Sequence, residues 1–239
     1  MRKLIFIPFI HSEGDMLKTP LPNDIAIVSE ELRPFANRIW SSIEIGISRL
    51  PNDLSNVKIF PEGTLEENMT KLKILKYQLQ NAPAEERESL YGMLKNPSEE
   101  ELELLKGQHI DGMQTRLVLR LLLRGVQIEA TEGSSYREME KVMIETARYF
   151  IEHPDAEYVS EESSDKLVEL FQKRDKEIAN NINTKLRSGE TGILIAGLDH
   201  SPDNFLEEDI QIELIHPELR EIISEYKELY AGHFGERKG

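Results

Sequence analysis

Two histidines and two glutamates stand just beyond four apolar runs of the chain. His11 follows Leu4–Ile10, Glu62 follows Val57–Phe60, Glu132 follows Val126–Ile128, and His200 follows Gly192–Ala196. Two imidazoles and two carboxylates can hold a divalent metal with open positions, and such a metal acidifies a bound water near neutral pH. Without a metal, a carboxylate can orient a histidine that acts as general base. The residue types serve either chemistry, so His11, Glu62, Glu132 and His200 are candidate catalytic residues and candidate metal ligands alike. Glu13, Asp15 and Asp199 lie beside them in sequence and form a second rank.

A further candidate is Arg174. Leu167, Phe171, Ile178, Ile182 and Leu186 recur at helical spacing and define one apolar stripe. Asp175 falls inside that stripe and Arg174 on its edge. A charged pair on a core-facing stripe is costly unless partnered. Either Arg174 lays its stem on apolar surface with its head in water, or it points at the carboxylates or at a substrate anion.

These side chains need a frame. The four apolar runs are continuous rather than alternating, as in strands buried on both faces, and helical stretches separate them. The expected fold is α/β: a mostly parallel central sheet with helices on both faces, in a single domain over residues 1–239. In such sheets ligands bind outside the carboxyl ends of the strands, where the candidates fall. A fifth run, Ile210–Ile215, alternates better and suits an edge strand, and Glu218–Tyr230 suits a closing helix.

Residues 64–125 carry no strand signal and read as a helical insertion, expected to serve as a lid or a homodimer surface. Thr64-Leu-Glu-Glu67 and Ser98-Glu-Glu-Glu101 fit the capping box, and Pro83 and Pro97 punctuate the segment. Phe60-Pro-Glu-Gly-Thr64 and Ala130-Thr-Glu-Gly-Ser134 echo each other. A helix start is expected after each, the second at Ser135-Tyr-Arg-Glu138.

Composition narrows the function classes. Lys and Arg number 29 against 44 Asp and Glu, a net charge of −15, which speaks against a generic nucleic-acid binder. The sequence has no cysteine, so disulfides, thiolate zinc sites and a thiol nucleophile are excluded. This suits a reducing compartment, and the expected location is cytoplasmic. No stretch approaches the about 20 apolar residues of a membrane span. Met1–Asp15 is read as a first strand and its exit, because Pro8 breaks its apolar run and acids follow. Neither a P-loop, a Gly-x-Gly-x-x-Gly nor a Gly-x-Ser-x-Gly elbow occurs. His109, His153, His216 and His233 lack ligand spacing and are expected at the surface. Trp40 is expected in the core.

Arg174-Asp-Lys-Glu-Ile-Ala179, then a helix, then Gly189-Glu-Thr-Gly-Ile-Leu-Ile-Ala-Gly-Leu-Asp-His200 resembles the C-terminal signature of TraB/TIKI proteins. Gly197-Leu-Asp-His200 matches that family's Gly-x-x-His. Its early Gly-x-x-His corresponds to Pro8-Phe-Ile-His11, where Pro replaces Gly. The wider grouping includes TIKI metalloproteases, erythromycin esterases, haem-linked ChaN proteins and TraB/PrgY pheromone regulators. The resemblance implies a hydrolase of a peptide or ester bond. Its alternatives are a non-catalytic protein that sequesters a peptide or small ligand, and a module binding haem non-covalently. Since the grouping spans several functions, it does not choose among them.

Overall fold

The structure is a computed structural model that describes residues 1–9, 23–107, 110, 112–153, 161–198 and 200–234. Five parallel strands form one sheet: β1 (Arg2–Phe9), β2 (Val57–Pro61), β3 (Gln127–Ile128), β4 (Thr191–Gly197) and β5 (Ile210–Leu214), in the order β3-β2-β4-β1-β5. The expected parallel α/β sheet is present, with the fifth run at an edge. β3 is the other edge and pairs over only two residues, with Gln127 exposed. The expectation of a strand buried on both faces does not hold there.

Alternation along the strands divides the core in two. Ile7 and Phe9 of β1, Ile59 of β2, and Ile193 and Ile195 of β4 face one side. They pack against α1 (Asn23–Arg49), α5 (Met113–Leu123) and α8 (Leu219–Phe234) through residues such as Ile39, Ile43, Leu117, Leu121 and Ile222. Trp40 is in this core, as expected. Leu4, Phe60, Leu194 and Ala196 face the other side and meet Ile178, Ile182 and Leu186 of α7 (Glu161–Lys185). α6 (Ser134–Glu152) packs on α7 in turn.

Among the described residues of 64–125 there is no strand. They carry a 3-10 turn and then α2 (Met69–Asn81), α3 (Ala84–Lys95), α4 (Glu99–Gly107) and α5. A bidentate pair of Arg120 on Glu44, at 2.6 and 2.8 Å, ties α5 to α1. The capping box at Ser98 forms: its amide donates to Glu101 at 2.7 Å, and its hydroxyl accepts the Glu101 amide at 3.3 Å.

The box expected at Thr64–Glu67 does not form. Thr64 is buried, and its carbonyl accepts the amides of Thr131 and Glu132, so the turn after β2 is spent on the turn after β3 rather than on a helix start. The next α-helix begins at Met69, and its N-cap, Asn68, makes no side-chain cap bond.

The turns after the strands leave on opposite faces. The chain beyond β2 enters helices on the α1 side. The chain beyond β4 enters a 3-10 turn, Pro202–Phe205, that packs on α7. β4 lies between β2 and β1, so its carboxyl end borders the crevice that opens where neighbouring connections diverge.

Candidate functional site

Three of the turns at that rim and one helix converge on a buried ionic cluster. Glu62 follows β2, Glu132 follows β3 and His200 follows β4, while Arg174 and Asp175 come from α7. Arg174 Nε donates to Glu132 Oε2 at 2.7 Å. Its Nη2 donates to Glu132 Oε1 at 2.9 Å and to Glu62 Oε1 at 2.8 Å. Glu62 Oε1 lies 2.9 Å from His200 Nε2, and His200 Nδ1 lies 2.5 Å from Asp175 Oδ1. All five residues are largely buried, and the Glu132 side chain is 0% exposed.

Backbone amides complete the carboxylates. Gly63 N donates to Glu132 and Gly197 N to Glu62, each at 2.7 Å, and Ser201 N donates to Asp175 at 2.9 Å. Gly63 has φ +76°, a left-handed conformation that favours glycine and turns its amide toward Glu132. The sequence echo at Gly133 has no such conformation, with φ −129°. There the amide of Gly133 and the hydroxyl of Ser135 donate to Glu177 of α7, which ties the start of α6 to α7. α6 starts at Ser134, one residue before the expected Ser135.

The hydrogen bonds set the charge states. Both nitrogens of His200 face carboxylates that only accept, so both carry a proton and the ring is an imidazolium. Burial works against that charge. The bonds to Asp175 and Glu62 outweigh it and hold the ring up at about 9, against an ordinary 6.5. Burial would also raise Glu62, but the His200 bond and charge, then Arg174 and the Gly197 amide, bring it down to about 2. Burial works against the charge of Arg174, but the bonds to and charges of Glu132 and Glu62 together outweigh it and push the guanidinium further above its ordinary range.

Of the two readings of Arg174, the structure has it pointing at the carboxylates. Its guanidinium also lies over the ring of Tyr136, 5.2 Å from the centroid. His200 is 4% exposed, so it is a packed residue rather than a loosely held rim side chain. Glu62, Glu132, Arg174 and His200 are thus together, while His11, Glu13, Asp15 and Asp199 lie outside the described residues.

The described donors do not fit a divalent metal. Arg174 stands between the two glutamates where a cation would be needed, and each His200 nitrogen is already paired with a carboxylate. Among the described residues, no group of three or more acids and histidines is arranged as a ligand set. His200 likewise offers no free nitrogen to a haem iron.

Sequence reasoning missed Asp175 and Tyr136 as members. Asp175 carried a signal, a carboxylate inside an apolar helical stripe; Tyr136 carried none. His216, expected at the surface, is buried, 5% exposed, at the start of the connection to α8. His153 is at the surface as expected, and His109 lies outside the described residues.

No family model, curated protein or solved structure matches this chain. Among the described residues, no helix is long and apolar enough to cross a membrane.

Proposed function

We propose that the protein is a hydrolase of an ester or peptide bond that works by proton transfer at Glu62 and His200. The observation that carries this is the clamp on His200: one carboxylate on each ring nitrogen, at 2.5 and 2.9 Å. As an imidazolium, His200 is a general acid, able to give its Nε2 proton to the departing alkoxide or amine. Glu62 is a weak base while that charge persists. Water adds to the carbonyl carbon and passes its proton to Glu62 as His200 gives its own to the departing group, the loss of the imidazolium charge making Glu62 more basic in the same step. The proton then returns from Glu62 to His200 across their direct contact, restoring the starting state. Arg174 keeps the glutamates in place and balances their charge. The likeness of Arg174–Ala179 and Gly197–His200 to the TraB/TIKI signature supports the same reading.

The test is turnover of ester and peptide panels by the full chain, with His200→Gln and Glu62→Gln beside it. Loss of turnover in both variants, and a wild-type rate that falls above about pH 9 as the acid is lost, is the expected result. A rate that rises through that pH would make His200 a base and overturn the mechanism.

A second reading is a protein that binds a peptide or small ligand without converting it. It is favoured by one observation, that both nitrogens of His200 are already paired with carboxylates of the cluster. Stoichiometric binding with the ligand recovered unchanged would establish it.

A further inference from the structure

Beside the ionic cluster, between α7 and the 3-10 turn Pro202–Phe205, lies a cavity of about 540 Å³. That volume is within the range of small-molecule sites. Its apolar part is Val168, Phe171 and Phe205; Val168 is 56% exposed and Phe205 40% exposed. Its polar part is Gln172, Asp175, Ser201 and Asn204. Among the described residues that line it, the charged one is Asp175. Each Asp175 oxygen accepts one bond, from His200 or from the Ser201 amide, and a carboxylate oxygen has two acceptor sites, so acceptor capacity remains on this lining residue.

The charge balance of the cluster has a direction. Glu62, Glu132 and Asp175 carry three negative charges, while Arg174 and the His200 imidazolium carry two positive ones, which leaves one surplus negative charge next to the cavity. A cation entering there meets that surplus beside the aromatic side chain of Phe205, while the Phe171 ring already lies against the Arg174 guanidinium. An anion meets repulsion, and a neutral group gains only the apolar contact.

We propose that this cavity is a binding subsite for an organic monocation with an apolar body, an aromatic or branched aliphatic amine. The amine N–H groups donate to Asp175 and to the side-chain carbonyl oxygens of Gln172 and Asn204, while the apolar body covers Val168 and Phe205. In the hydrolase reading this subsite takes the substrate group next to the scissile bond. The assignment itself needs no turnover, so a binding measurement decides it whether or not the hydrolase reading holds.

The experiment is equilibrium binding of benzylamine, benzyl alcohol and benzoate to the full chain at neutral pH, followed by ligand-observed NMR. Benzylamine is expected to bind about tenfold more tightly than the alcohol, with benzoate weakest. Val168→Lys places a cation at the exposed rim and is expected to weaken benzylamine about tenfold while leaving the melting temperature in place. Ile74→Lys adds the same charge on α2 at another exposed apolar position and is expected to leave binding unchanged. Equal binding of amine and alcohol, no binding of any probe, or an equal loss in Ile74→Lys overturns the proposal. The last outcome would mean general attraction to an acidic protein.

Discussion

His200 Nε2 and Glu62 Oε1 are 2.9 Å apart, and that same oxygen accepts from Arg174 at 2.8 Å, so one carboxylate oxygen joins the two cations of the cluster. The contact crosses from the turn after β4 to the turn after β2, which neighbour each other in the sheet. The protonation of one residue is therefore felt in the placement of three elements, and the stability of the protein should report it.

Stability should depend on pH through these two groups in opposite directions. The raised His200 contributes stability that is full below about 6.5 and is lost as pH rises through about 9. The depressed Glu62 contributes stability that is full above 4.5 and is lost as pH falls toward about 2. The maximum from this pair thus lies between those windows. Denaturant unfolding should show a decline from pH 6.5 to 9 in the wild type and a flatter profile in His200→Gln. An alkaline limb that survives the substitution would place its origin elsewhere.

Arg174→Ala should destabilise the fold by about 3–5 kcal/mol at neutral pH, because it leaves buried carboxylates without their cation. Glu132 suffers most, keeping only the Gly63 amide among its bonds described above. Acid should shrink the deficit, since protonating a carboxylate removes the unpaired charge. Melting curves of variant and wild type at pH 5 and 7.5 measure it; a deficit that grows in acid would contradict the pairing.

His200→Ala should cost stability as well as function. The ring is 4% exposed and meets the edge of Phe171 at 5.9 Å between centroids, so its loss removes packing and leaves Asp175 short of a partner. Asp175→Asn is the milder probe. It removes one carboxylate from the clamp and should lower the titration midpoint of His200 below about 9, read from the ring resonances by NMR. A midpoint that stays in place would show that Asp175 does not hold the charge.

Gly46→Ala tests the packing of α1 on the sheet. A Cβ there would lie 2.6 Å from the Ile215 carbonyl oxygen, a backbone atom that cannot step aside without moving the end of β5. The expected cost is about 1–3 kcal/mol, from thermal or denaturant unfolding. An unchanged midpoint would mean that α1 and β5 separate freely at this point.

Much of the frame was legible in the order of residues. Continuous apolar runs such as Ile193–Ala196 can be satisfied only by cover on both faces, and the helical stretches between them supply that cover through parallel crossovers. The same logic set Glu62, Glu132 and His200 at one rim, because strand ends in a parallel sheet all point the same way. Apolar spacing on α7 likewise marked Asp175 as a charge in need of a partner, without saying which. Strand order decided that: β4 lies between β2 and β1, a long-range arrangement that no local pattern encodes, and it brings His200 onto Glu62. Burial did the rest. The sequence offers His200 as an ordinary imidazole, fit to be a base or a ligand. Only the packed structure closes a carboxylate on each nitrogen and sets Arg174 between the glutamates, so that proton and guanidinium supply the positive charge that the carboxylates require.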